Sequence, residues 1–353
     1  MNVELLKKIR MVTPYIAGEQ PRDKVIKLNT NESPYPPSPK VAKVLKEMDA
    51  EDLKRYANPE NKEITQVIAD YHQVDANQVF VGVGSDDVIA LCYLTFFNSE
   101  KPILFPDITY SFYEVWARLY NLPVKRPPLN KDFKLVASDY SGDIGGIIFP
   151  NPNAPTGVYE ELDLIEEILK ANPSVVVIVD EAYIDFANRP SACDLIPKYE
   201  NLIVVQTFSK SRSMAGIRIG YAISNPKLIK YLDDVKNSFN SYTLNLPAQI
   251  SGVASVLDHD YFKETINKVI DTREWLKSEL KILGFEYLDS AANFIFATHK
   301  DHCAATLYEE LKKRGVYIRY WPYERISNYL RITIGTKEEI QIFLNTLKEI
   351  LAL

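Results

Sequence analysis

The sequence predicts an α/β protein in two parts: a large domain with a mostly parallel sheet between helices, and a smaller C-terminal α/β lobe. Val/Ile-rich runs at 79–83, 145–150, 175–183, 202–210 and 217–223 alternate with helix-length segments. Strands apolar at nearly every position are strands covered on both faces, as in parallel sheets. Beyond Pro226 the pattern turns helical and then alternates again, which marks a second unit. The length agrees, since 353 residues exceed the ~100–150 at which single domains cluster.

The first 40 residues are proline-rich and lack a helical period (PYIAGEQPRDKVIKLNTNESPYPPSPK), so they form an extended arm that wraps a partner subunit or covers a site. A helix follows at 41–48, then the turn RYANPE, then a buried strand at 79–83 (VFVGV). Gly84-Ser85-Asp86-Asp87 opens a helix at 85–97. A short strand at 103–105, a helix at 110–120, a strand at 145–150, the turn NPNAPTG and a helix at 160–171 come next. The runs 175–183, 202–210 and 217–223 are three further strands. After them a long helix occupies 261–283, and strands at 293–297, 316–319 and 329–334 alternate with helices at 304–314 and 337–351. The expected division is an arm at 1–40 that joins the small lobe and the dimer partner, a large domain at 41–250 and a small domain at 251–353.

Composition narrows the function. Hydrophobic residues are 46% and charged residues 25%, an ordinary globular balance. Lys+Arg 41 against Asp+Glu 47 leaves a net charge of −6 and no basic stripe, which disfavours nucleic-acid partners. Cys92, Cys193 and Cys303 give no disulfide framework and point to a reducing compartment. The N-terminus has no apolar signal-peptide core, and the longest apolar runs are too short to span a bilayer. A cytoplasmic protein is expected. His299-x-x-His302-Cys303 has metal-like spacing, but no matching cluster accompanies it, so no metal site is expected. Gly82-x-Gly84 begins a dinucleotide fingerprint that Asp87 leaves incomplete, which disfavours an NAD-dependent oxidoreductase.

Ligands of open parallel sheets gather at the carboxyl ends of the strands. The run at 175–183 carries Asp180, the run at 202–210 ends in Ser209-Lys210, and the strand at 79–83 leads into Gly84-Ser85-Asp86. Arg218 follows Lys210 by eight residues. Alone, each has an ordinary reading: a turn acid, a solvated lysine, a helix cap, an ion-pair partner. Together they suit one cofactor, pyridoxal phosphate. Its aldehyde needs a lysine amine, and its pyridine nitrogen needs a buried carboxylate. Its phosphate suits a helix N-terminus with a hydroxyl and an arginine, and its ring face suits an aromatic stack. Tyr110 is the candidate for the stack, with Tyr113 close enough to compete.

TFSKSRSMAGIRIGYAI at 207–223 resembles the lysine signature of the fold-type-I pyridoxal phosphate-dependent aminotransferases. DEAY (180–183), PNAPTG, GSDD and LRITIGT (330–336) also stand in that family's order, and the likeness covers most of the chain. NESPYPPSP, RYANPE, PDITYSFY and YLRITIGT are most similar to the histidinol-phosphate aminotransferase branch. The resemblance implies transamination between L-histidinol phosphate and 2-oxoglutarate in histidine biosynthesis, by a homodimer with shared active sites. It implies that Lys210 bonds the cofactor and moves a proton, Asp180 pairs with the ring nitrogen and Tyr183 donates to the ring hydroxyl oxygen. Gly84, Ser85 and Asp86 through the backbone, with Ser209 and Arg218, would hold the phosphate, and Tyr56 would reach it from the other subunit. Arg331 would bind the substrate carboxylate, while Tyr15, Asn31 and Arg319 line the substrate side. The chain departs from the family at Ala154, where an asparagine usually touches the ring oxygen; Asn153 stands one residue earlier as a candidate replacement. The rival readings are an aromatic or other amino-acid aminotransferase, a threonine-phosphate decarboxylase, and a non-catalytic ligand-sensing domain.

Overall fold

The computed structural model describes residues 2–16, 18–21 and 25–352. After a short N-terminal turn of helix, α1 (Val3–Leu6), and a two-residue strand, β1 (Ile26–Lys27), the large lobe opens with α2 (Pro39–Glu47) and α3 (Lys62–His72). It continues through β2 (Val79–Gly82), α4 (Ser85–Phe96), β3 (Ile103–Leu104), α5 (Phe112–Leu119), β4 (Val124–Lys125), β5 (Gly146–Pro150) and α6 (Leu162–Ala171). Then come β6 (Val177–Asp180), β7 (Leu202–Thr207), β8 (Gly220–Ser224), α7 (Pro226–Phe239) and α8 (Leu246–Val256). The helix starts follow local rules. Ser38 caps α2 ahead of Pro39, and Asn225 caps α7 ahead of Pro226, because proline at the first position sacrifices no intrahelical bond.

The seven strands run in the order β2-β8-β7-β6-β5-β3-β4. Only β8 is reversed, lying antiparallel to both β7 and β2. Alternate residues go to opposite faces: Val177 and Val179 pack under α6 and α8, Ile178 under α4 and α5. The two apolar layers explain why the strand runs have no polar side. The reversal of β8 matters for the site. It brings the residues just before β8, Arg218 among them, to the edge where β2, β6 and β7 end.

The small lobe holds α9 (His259–Ile282), β9 (Phe285–Tyr287), β10 (Phe294–His299), α10 (Ala304–Lys313), β11 (Val316–Tyr317), β12 (Arg319–Tyr320), β13 (Tyr329–Thr333) and α11 (Lys337–Leu351). Its antiparallel sheet has the order β12-β13-β10-β9, and β1 pairs in parallel with β11. Leu28, just after β1, is buried in that lobe's core.

Several expectations need correction. The boundary placed at 250 falls inside α8, whose Ala248, Ala254 and Val256 belong to the large-lobe core; the small-lobe core begins with Phe262 on α9. The helix expected at 110–120 starts at Phe112, leaving Tyr110 in the preceding turn. The strand expected at 316–319 is two short strands serving different sheets. Helix α3 and strands β4 and β9 were not anticipated.

Gly220 on β8 lies against the start of α4. A Cβ there would overlap the backbone of Gly84 and Ser85, and neither backbone can yield without moving the helix N-terminus. Gly220→Ala is expected to destabilise the protein by at least about 2 kcal/mol in denaturant unfolding, as overpacking against fixed backbone does. A change within about 0.5 kcal/mol would show that the helix start has room to shift.

Candidate active site

The sheet edge gathers the expected residues around a cavity of about 180 Å³, lined by Ser85, Asp86, Tyr110, Ala154, Asp180, Tyr183, Ser209, Lys210 and Arg218 among others. It opens beside a larger cavity of about 660 Å³ that shares Tyr110, Ala154, Tyr183 and Lys210 and adds Tyr15, Asn31, Arg319 and Arg331. These two spaces lie side by side across the lysine.

Asp180 is the last residue of β6 and is 5% exposed. Its Oδ2 accepts the Tyr113 hydroxyl at 2.8 Å and its Oδ1 accepts the Ala182 N–H at 3.2 Å. Burial pushes its carboxyl up to about 6, against the pull of those two hydrogen bonds. Lys210 follows β7 by three residues; its Nζ donates to the Thr30 carbonyl at 3.1 Å and stands 5.8 Å over the Tyr183 ring. The Tyr183 hydroxyl accepts from Asn31 at 2.9 Å, which leaves its own proton to donate. Asn31 adopts a left-handed backbone with φ 56°, a conformation asparagine tolerates. Its side chain also accepts from Thr333 of the small lobe, so one residue joins arm, small lobe and Tyr183.

The start of α4 has the features of an anion site. Gly84 has φ +88° and provides no side-chain cap, so first-turn N–H groups and the helix dipole face the cavity. Arg218, also left-handed at φ 63°, reaches Ser209 Oγ at 3.4 Å and the Asp86 carboxylate at 3.4 Å. Asp86 also accepts the Tyr110 hydroxyl at 3.0 Å, so its side chain anchors neighbours and only its backbone is left for an anion.

Tyr110 lines both cavities, whereas Tyr113 is fully buried behind it and lines neither. Of the two tyrosines, Tyr110 is the one on the cavity wall. Asn153 is turned away: its amide donates to the Ile108 carbonyl at 3.1 Å and to Thr156 at 2.9 Å, and Ala154 lines the cavity instead. The Asn153 amide N–H groups are thus engaged in bracing the turn, while its Oδ1 is buried without a partner among the described residues. Tyr56 is 82% exposed and stacks on Tyr242 at 4.4 Å, outside both cavities of its own chain. His299 and His302 pack ring to ring at 4.7 Å, with His299 Nε2 3.1 Å from the Leu283 carbonyl; among the described residues no metal-holding group of side chains exists.

In the larger cavity, Arg319 and Arg331 face each other in register across β12 and β13. Like charges directly opposite are destabilising, and neither guanidinium has a carboxylate partner among the described residues. Trp321 sits between them, with ring contacts of 5.3 and 5.1 Å. Arg331 Nε is buried without a partner, and burial lowers its proton affinity to about 10, leaving it charged at neutral pH. Such a pair awaits anions. Sequence reading missed Trp321 and also Arg325, which ties the 321–326 loop to the large lobe through Asp107 at 2.6 Å and the Leu129 carbonyl at 2.7 Å. Neither has a local sequence signal.

The model of the aminotransferase class I and II family matches residues 23–347, and the chain belongs to that family, a family of enzymes. Within it, the chain is 50% identical over 99% of both chains to the histidinol-phosphate aminotransferase of Brachyspira hyodysenteriae. It is 48% identical to histidinol-phosphate aminotransferase 1 of Pseudomonas fluorescens, covering 97% of this chain and 98% of that one. Two solved structures share the fold: histidinol-phosphate aminotransferase from Clostridium acetobutylicum (TM-score 0.84, 23% identity, 92% and 98% covered) and from Sinorhizobium meliloti in complex with pyridoxal-5'-phosphate (TM-score 0.83, 22% identity, 92% and 90% covered).

Proposed function

We propose that this enzyme is a pyridoxal phosphate-dependent transaminase that exchanges the amino group between L-histidinol phosphate and 2-oxoglutarate in histidine biosynthesis. The observation that carries the substrate reading is the Arg319–Arg331 pair, which has no carboxylate partner among the described residues, on the wall shared with Lys210. A phosphate on one substrate and carboxylates on the other would each relieve that repulsion, and guanidinium binds both as a fork. The relatives at about half identity bear the corresponding name.

The residues fit the cofactor. The uncapped α4 start with Ser209 and Arg218 would hold its phosphate, Tyr110 would cover its ring, Tyr183 would donate to the ring oxygen and Asp180 would hold the proton at the ring nitrogen. When bound, the cofactor supplies an electron-accepting ring conjugated to its aldehyde carbon. Lys210 Nζ would bond that carbon and would take and return the substrate's Cα proton. Arg331 and Arg319 would orient the substrate over the lysine, with Trp321 between them. Ala154 has no side-chain donor to offer the ring oxygen, so Tyr183 would be the donor there.

The working unit is a homodimer, with Tyr56 of one protomer reaching the phosphate site of the other. The exposure of Tyr56 and of Val3, Leu6 and Ile9 on the arm supports this. The compartment is the cytoplasm, in keeping with three free cysteines and with no membrane-crossing helix among the described residues.

A steady-state panel of donors tests the reading, with histidinol phosphate expected to give the highest kcat/KM; preference for an aromatic amino acid, or CO2 release from threonine phosphate, would overturn it. Arg331→Ala is expected to lower kcat/KM for glutamate by about 2–4 kcal/mol of transition-state stabilisation. Arg331→Lys should recover little, since an ammonium lacks the planar fork. Unchanged kcat/KM for glutamate in Arg331→Ala would move the carboxylate site to Arg319.

A further inference from the structure

Asp180 sits in a place where an ion is expensive, and among the described residues two hydrogen bonds hold its carboxylate. One comes from the backbone N–H of Ala182 in its own turn; the other comes from Tyr113, 67 residues away in sequence, at 2.8 Å. Tyr113 lies in the first turn of α5 with no exposed surface. Its ring meets Tyr110 edge-on at 5.6 Å and Phe105 at 6.0 Å. Phenylalanine would satisfy those ring contacts equally well, so packing does not explain the hydroxyl. The three-residue spacing in Tyr110-Ser-Phe-Tyr113 sends one tyrosine to the cavity wall and the next to the carboxylate behind it.

We propose that Tyr113 is a positioning residue of the cofactor site, whose buried hydroxyl fixes the orientation of the Asp180 carboxylate and keeps it ionised toward the ring-nitrogen position. This rests on the assignment of Asp180 given above. A phenol suits the task, because burial and the adjacent Asp180 charge raise its own proton affinity and keep it a donor. The charged and titratable groups facing Asp180 are few. Asp86 on α4 opposes its ionisation, Lys210 after β7 favours it, and Tyr93 on α4 lies near enough for its own hydroxyl to be held protonated partly by the Asp180 charge. Among these, Tyr113 supplies the only side-chain hydrogen bond among the described residues.

The test is a pH titration of the Asp180 carboxyl by 13C NMR in the cofactor-free full chain, a readout independent of catalysis. A hydrogen bond to the charged form lowers a carboxyl's proton affinity, so Tyr113→Phe is expected to raise the titration midpoint by about one unit, a tenfold change in the ionisation constant. In the loaded enzyme the acid limb of kcat/KM should move up with it, and pyridoxal phosphate should bind about tenfold more weakly. Tyr93→Phe serves as the control and should leave the midpoint in place, since Tyr93 makes no such bond. If Tyr113→Phe does not fold, 3,5-difluorotyrosine at position 113 keeps the shape and donates more strongly, so the midpoint should fall. An unmoved Asp180 midpoint in either Tyr113 variant overturns the proposal while leaving the function of Asp180 intact. A moved midpoint without any change in cofactor binding or in the pH profile would instead count against Asp180 as the partner of the ring nitrogen.

Discussion

Lys210→Ala is expected to fold as the parent does, to retain no cofactor fixable by borohydride, and to lose at least about four orders of magnitude in kcat. The size of the effect follows from two roles vested in one nitrogen. Positioned proton transfer alone contributes about 10²–10⁴-fold, and loss of the covalent attachment adds to it. The fold should survive because Nζ makes one hydrogen bond, to the Thr30 carbonyl, at a partly exposed position. Peptide mapping of the reduced, labelled wild-type protein checks the assignment. Label on any other lysine would remove Lys210 from the mechanism.

Asp180→Asn is expected to lower kcat by roughly 10²–10³-fold, the range seen when one preorganised electrostatic group is removed from a catalytic site. An amide can accept the Tyr113 hydroxyl but cannot hold a proton on the ring nitrogen by charge. Stability should move the other way. Burial lifts the folded-state carboxyl to about 6 from an ordinary 3.8. Below about 4 the acid is protonated in both folded and unfolded chains and costs nothing. Between about 4 and 6 the unfolded chain ionises first, and above 6 the full penalty applies, on the order of 2–3 kcal/mol. Cofactor-free Asp180→Asn should therefore be at least as stable as wild type at pH 7 and should lack the loss of stability from pH 4 to 6. Denaturant melts across that interval check this; near-wild-type turnover in the variant would refute the catalytic role.

Much of the cofactor cradle was legible because its signals are local. A buried run that stops at Asp180, another that stops just short of Lys210, and a glycine that leaves a helix uncapped are each readable within a few residues. Chain order and strand burial then place them at one edge. Which tyrosine lines the cavity was ambiguous for a clear reason: Tyr110 and Tyr113 differ by less than one helical turn, and only the true start of α5 at Phe112 separates the cavity wall from the core behind it. The same holds in the NPNAPTG turn, where neighbouring residues point opposite ways and Asn153 is claimed by Ile108 and Thr156.

By itself, the sequence determined the α/β fold class and the class of cofactor, and it named the lysine, the acid and the uncapped helix start that the structure brings to one cavity. Periodicity and capping follow from chemistry within one element. Tertiary structure alone decided the reversal of β8 that delivers Arg218, the register that opposes Arg319 to Arg331, the Asn31 link between arm, small lobe and Tyr183, and the bond from Tyr113 to Asp180. These depend on which strands and helices meet across tens to hundreds of residues. An apolar run looks the same whether its neighbour runs parallel or antiparallel, and a polar side chain finds its partner only once packing has removed the water that would otherwise serve.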